Sequence, residues 1–135
     1  MDSDAKPVAD AGQAKVTWTH HDELPEFPTL PGITLRVIAG PQLMTAWIRM
    51  EPNIVLPEHQ HPHEQLGVVI EGAVRLTIDG ETRDLGVGHA YNVPSQLPHG
   101  GTSGPEGCLL LESFTPPRED YVAMSEEAHA AQSAS

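Results

Sequence analysis

Through the middle of the chain, apolar residues come in short runs separated by Gly, Pro, Asn or Asp. From Ile33 onward these runs are Ile33–Ala39, Leu43–Met50, Leu66–Glu71, Ala73–Asp79, Ala90–Val93 and Cys108–Phe114. Each is rich in β-forming residues and bounded by turn formers, which predicts a strand. Alternation is clearest where Val74, Leu76 and Ile78 interleave with Arg75, Thr77 and Asp79, the mark of one buried and one wet face. Asp79-Gly80 then predicts a tight hairpin turn into a strand over Thr82–Leu85. Only Arg118–Ala128, just beyond Pro116-Pro117, has helical character. No internal repeat is visible. Short strands at close spacing predict a β-sandwich or barrel, and periodicity alone leaves the connectivity open.

Composition narrows this to an all-β domain. The chain has 135 residues, 39% of them apolar, enough for one core that needs no disulfide or structural metal to fold. Twelve Gly and thirteen Pro favour turns over long helices. Residues 1–15 show no hydrophobic period and are expected to be a disordered arm, and 128–135 a flexible tail, around a single domain over 16–127.

Charge changes the picture of partners. Nineteen acidic residues against seven Lys and Arg give a net charge of −12. No basic stripe is present, which argues against nucleic acid. Residues 1–28 and 116–135 carry much of the acidity, and the segment between them, with four basic and nine acidic residues, is at −5. Cys108 is the one cysteine, so nothing calls for an oxidising compartment. No run approaches a membrane span, and the first residues are acidic where a secretory signal is basic and then apolar. The expected location is the cytoplasm, with no membrane partner.

The candidate chemistry lies in the histidines. Five of the eight fall between positions 59 and 99, and His59, His61 and His63 alternate. On extended backbone, i and i+2 point the same way, so His59 and His61 can offer two imidazole nitrogens to one cation. An expression tag would be terminal and continuous, whereas this cluster adjoins the apolar run Leu66–Ile70. His20, His21, His89 and His129 are expected at the surface or in the core.

Residues 59–72, His-Gln-His-Pro-His-Glu-Gln-Leu-Gly-Val-Val-Ile-Glu-Gly, resemble the first cupin motif. Gly72 sets the register, which makes Gln65 the third ligand position, where the family more often has Glu. Taking His61 and His63 as the pair puts Gly67 or Val68 at that position, and neither has a ligand atom. Pro94-Ser95-Gln96-Leu97-Pro98-His99 resembles the second motif, with Gln96 where Gly is usual and His99 as the fourth ligand. The resemblance implies a jelly-roll barrel, a homodimer, and one divalent transition metal held by His59, His61, Gln65 and His99. Zn, Ni, Fe, Co and Mn all suit such ligands. With this register, His63 and Glu64 fall to outer or exposed positions.

Cys108, Leu110, Glu112 and Phe114 share one face of the last predicted strand. A carboxylate among apolar neighbours must meet a cation, a hydrogen-bond network or a substrate. Pairing with an arginine is the plain structural alternative. From Pro31 to Tyr121 the chain further resembles the pectin-degradation cupins, the KdgF family, through Pro57-Glu58-His59, His61-Pro62-His63-Glu64-Gln65, Gly72 and the closing Phe114-Thr115-Pro116-Pro117-Arg118. Those cupins open and tautomerise 4,5-unsaturated uronates. In that family the last strand has Asp two residues before a Phe, with an Arg four beyond the Phe, all lining the pocket opposite the metal. Here the acidic position is Glu112, one methylene longer. The resemblance implies that Glu112 transfers a proton, Arg118 pairs with the substrate carboxylate and Phe114 packs on the ring. Arg36 and Arg49 are expected as exposed strand residues. Trp47 is expected in the core or at a dimer contact.

The reading is therefore a metal-dependent lyase or isomerase acting on a small, anionic, oxygenated acid. A cupin dioxygenase or natural-product tailoring enzyme, and a non-catalytic ligand-binding cupin, are the alternatives that the same ligands permit.

Overall fold

The structure is a computed structural model and describes residues 15–134. The expected arm over 1–15 lies, but for Lys15, outside the described residues. Within them are a 3-10 turn at His21–Glu23, eight strands and one helix. The strands are β1 (Phe27–Leu30), β2 (Ile33–Ala39), β3 (Met44–Met50), β4 (Val55–His59), β5 (Glu64–Ile78), β6 (Glu81–Gly86), β7 (Ala90–Val93) and β8 (His99–Thr115), followed by α1 (Glu119–Ala134).

All pairings are antiparallel, and two long strands organise them. The first half of β5 and the second half of β8 pair with each other, flanked by β7 on one side and β3, β2 and β1 on the other. The second half of β5 and the first half of β8 pair again, now between β6 and β4. One pair of strands thus serves two sheets, the arrangement of a jelly roll. The runs Leu66–Glu71 and Ala73–Asp79 are the two halves of β5, and Cys108–Phe114 is only the end of β8. The corner falls at Gly72, where φ is +73° and the ladder slips register. A β-carbon on Gly72 would overlap the carbonyl oxygen of Gly107, itself at φ +76°. The two strands turn together because both residues there are glycine.

The core fills the space between the sheets with the alternate residues that the pattern selects. Leu35, Val37, Met44, Ala46, Ile48, Met50, Val69, Val74, Cys108, Leu110 and Phe114 are all buried. Asp79 and Gly80 have φ of +48° and +83°, the left-handed pair that a two-residue hairpin requires.

Two strands escape the sequence pattern. β1 carries Pro28, and β4 carries Pro57, Glu58 and His59, so neither reads as a β-former run. The helix also departs from expectation, for it runs to Ala134 and takes in residues expected as a flexible tail. Ala128, Ala130, Ala131 and Ala134 are strong helix formers, and their small side chains carry a helical preference without an apolar stripe. Arg36 is not simply exposed: its guanidinium donates to the carbonyl oxygens of His21, Asp22 and Leu24, the last at 2.6 Å, and clamps the N-terminal turn to β2. Arg49 is exposed, as expected, and faces Glu71 at 3.5 Å. Trp47 is half-buried on the outer face beside the His21 ring.

Candidate metal centre

Ring nitrogens of His59, His61 and His99 lie within 4.8 Å of one another. His59 ends β4 and His99 begins β8 directly across the ladder from it. His61 follows in the connection to β5, and its carbonyl oxygen accepts from the N–H of Gln96 at 2.8 Å. Gln96 has φ +68°, which explains why the second cupin motif favours glycine there. That one backbone bond ties the two motifs together.

Local backbone fixes the imidazole tautomers. Nδ1 of His59 lies 2.9 Å from the Pro57 carbonyl, Nδ1 of His61 3.0 Å from the His63 carbonyl, and Nδ1 of His99 2.9 Å from the Leu97 carbonyl. A carbonyl oxygen only accepts, so each Nδ1 carries the proton and each Nε2 keeps a free lone pair. Nε2 of His99 is buried with no hydrogen-bond partner. His61 is held down at about 4, chiefly by burial, then by the charges of Arg118 and His99. His99 is also lowered, first by burial, against the opposing pull of its bond to Leu97. Both are neutral donors at neutral pH.

Gln65 completes the set. Its Nε2 donates to Glu112 Oε2 at 2.7 Å, which turns its Oε1 toward His61 Nε2, 3.1 Å away. Two lone pairs then face each other inside the protein with no proton between them. A cation satisfies both, and it also satisfies the orphaned Nε2 of His99. The donor set therefore fits a metal ion.

Glu112 is buried, as its strand position predicts, and a hydrogen-bond network meets it instead of an arginine ion pair. No motif or spacing points to the other donor in this network, the Tyr91 hydroxyl, which also bonds Oε2. Burial pushes the Glu112 carboxyl above the usual carboxylate range, while the bonds from Tyr91 and Gln65 and the charge of Arg118 pull it back. Burial, then the Glu112 charge, pushes Tyr91 well above its ordinary value, so it donates as a neutral phenol. Glu112 is thus joined to the candidate ligands through Gln65.

Arg118 and Phe114 line the same cavity as His59, Gln65, His99 and Glu112, a space of about 60 Å3. The Arg118 guanidinium lies 4.1 Å from the Tyr121 ring centroid and 5.5 Å from that of Phe114. Asp120 takes two of its donors, at 3.1 and 2.9 Å. Burial opposes its charge, but the bonds to Asp120 hold its pKa above the usual arginine value. His63 is buried with Nε2 3.3 Å from Glu119, while Glu64 is exposed. His20, His21, His89 and His129 are all exposed.

Comparison with known proteins gives the same picture. A cupin-domain family model matches residues 46–112. The pectin degradation protein KdgF of Dickeya dadantii (strain 3937) is 31% identical over 103 residues, which is 75% of this chain and 94% of that protein. KdgF from Halomonas sp. superposes with a TM-score of 0.75 at 28% identity, over 79% of this chain and 99% of that one. An RmlC-like cupin from Shewanella frigidimarina follows at 0.74 and 26%, over 81% and 98%. The chain belongs to the cupin family, with one cupin domain that resembles KdgF.

Proposed function

We propose that this cupin is a metal-dependent enzyme of the lyase or isomerase type acting on a small oxygenated acid, with a 4,5-unsaturated uronate as the candidate substrate. The observation that carries the reading is that one cavity is lined by His59 and His99 of the convergent three-histidine cluster, by the buried carboxyl of Glu112 and by Arg118. Its size, about 60 Å3, suits the reacting end of a small acid.

A divalent metal held by His59, His61, Gln65 and His99 supplies Lewis-acid polarisation of substrate oxygen. Arg118 pairs with the substrate carboxylate through the guanidinium donors that Asp120 leaves free. Phe114, buried beside it, packs against the sugar ring. Opening an unsaturated uronate ring releases an aldehyde and an enol, and the enol then loses its hydroxyl proton and gains one on carbon. Glu112, with its pKa raised by burial, is suited to carry that proton. Atoms and electrons balance within the substrate, and no oxidant enters.

Two copies are proposed to associate through the outer face of the larger sheet. Leu66, at 57% exposure, and Ile70, at 42%, flank the half-buried Val68, Leu111 and Trp47 there. Among the described residues no helix is long and apolar enough to cross a membrane.

The test is incubation of protein loaded in turn with Zn, Ni, Fe, Co or Mn with an unsaturated uronate, under strict anoxia, following the conjugated alkene absorbance. Consumption without oxygen is expected and removes the dioxygenase alternative. No consumption with any of the five metals overturns the substrate assignment.

A further inference from the structure

A glutamine is an ambiguous metal ligand, because its amide offers an oxygen lone pair at one end and two N–H donors at the other. A half-turn of the Gln65 amide puts its N–H groups where the oxygen stood and removes a donor from the centre. Something must choose the orientation. Histidines 59, 61 and 99 do not, since each ring is held through Nδ1 by a main-chain carbonyl on its far side and takes its orientation independently of Gln65.

The choice is made on the other side of Gln65. Glu112 Oε2 accepts from Gln65 Nε2 at 2.7 Å, and the same oxygen accepts from the Tyr91 hydroxyl. The fold builds this contact with an unusual piece of register. Gly67 on β5 pairs with Tyr91 on β7 and, on its other edge, with Glu112 on β8. Tyr91 and Glu112 are thus two strands apart, about 10 Å across the sheet. Their side chains meet only because the residue between them has none: a β-carbon on Gly67 would run into the Tyr91 ring. Gln65, two residues before Gly67 and on the same face, is the next side chain along.

We infer that Tyr91 is a positioning residue for the metal centre: lying over Gly67, it anchors Glu112, and Glu112 holds the Gln65 amide with its oxygen toward the cation. This rests on the metal reading above. It gives Glu112 a second duty, one that a proton-transferring role alone does not require.

Cobalt(II) is the probe, titrated into metal-free protein and followed by its visible absorption, with affinity taken from chelator competition. Wild type binding one equivalent with a His61-dependent spectrum is the baseline, and failure to bind at all overturns the metal reading itself. With that baseline met, Tyr91→Phe, which keeps the ring, is expected to weaken Co(II) affinity by about tenfold and to change the spectrum as a donor is lost. A second background separates orientation from mere packing. In Gln65→Glu combined with Glu112→Gln, position 65 presents oxygen whichever way it turns, so adding Tyr91→Phe there should leave affinity within about twofold. Unchanged affinity and spectrum in the single variant overturns the inference, and so does an equal loss in both backgrounds.

Discussion

Nε2 of His61 and Oε1 of Gln65 face each other across 3.1 Å with no hydrogen available to either. The His61 ring proton is committed to the His63 carbonyl, and the Gln65 amide turns its nitrogen to Glu112. Purified protein should therefore carry about one equivalent of a transition metal, and His61→Ala should reduce it below about a tenth. Elemental analysis checks both, and a metal-free wild type purified with metal in the medium contradicts the assignment.

Glu112→Gln tests the proton role while leaving the network a partner. The new amide oxygen still accepts from Tyr91 and Gln65, so the urea midpoint should move little. Turnover of unsaturated uronate should fall by about a hundredfold or more. Activity near wild type would remove Glu112 from the chemistry.

The corner glycine is predicted to be intolerant. Gly72→Ala combines a φ of +73° with a clash against the Gly107 carbonyl and should cost more than about 2 kcal/mol in urea unfolding. Gly80→Ala is the control. Its φ is +83° but nothing lies within 4 Å of the added carbon, so it should cost only about 1 kcal/mol.

Cys108 should be an inert thiol. Burial, then the charge of Glu112, pushes it from 9.0 up to about 11. At pH 8 native alkylation should run about a hundredfold or more slower than in denaturant. The unfolded chain ionises first as pH rises, so the stability this thiol contributes is full below pH 9 and is lost toward 11. Fast native labelling at pH 8 would show that the strand opens.

What could be read from the sequence depended on whether the signal was local. Val74, Leu76 and Ile78 announce their strand because alternation is a property of neighbours, and Gln65 and His99 follow from motif spacing. β4 stays hidden because its five positions include a proline, a glutamate and a candidate metal-ligating histidine, none of them β-formers. Tyr91 is missed for another reason. Its partner is 21 residues away, and the glycine that lets them meet belongs to a third strand. Asp120 and Arg118 are close in sequence, yet only the fold shows that this acid takes two of the arginine's donors.

The carbonyls that hold His59, His61 and His99 each lie two residues from the ring they fix. No side chain can be mutated to abolish them, which makes the triad a self-contained cassette. Residues of β8 beyond His99 can then vary without touching the bonds that orient the three rings. Gln65 is the exception, because its amide is held by the side chain of Glu112. Through that single amide, a substitution at position 112 would reach the candidate metal centre without touching an imidazole.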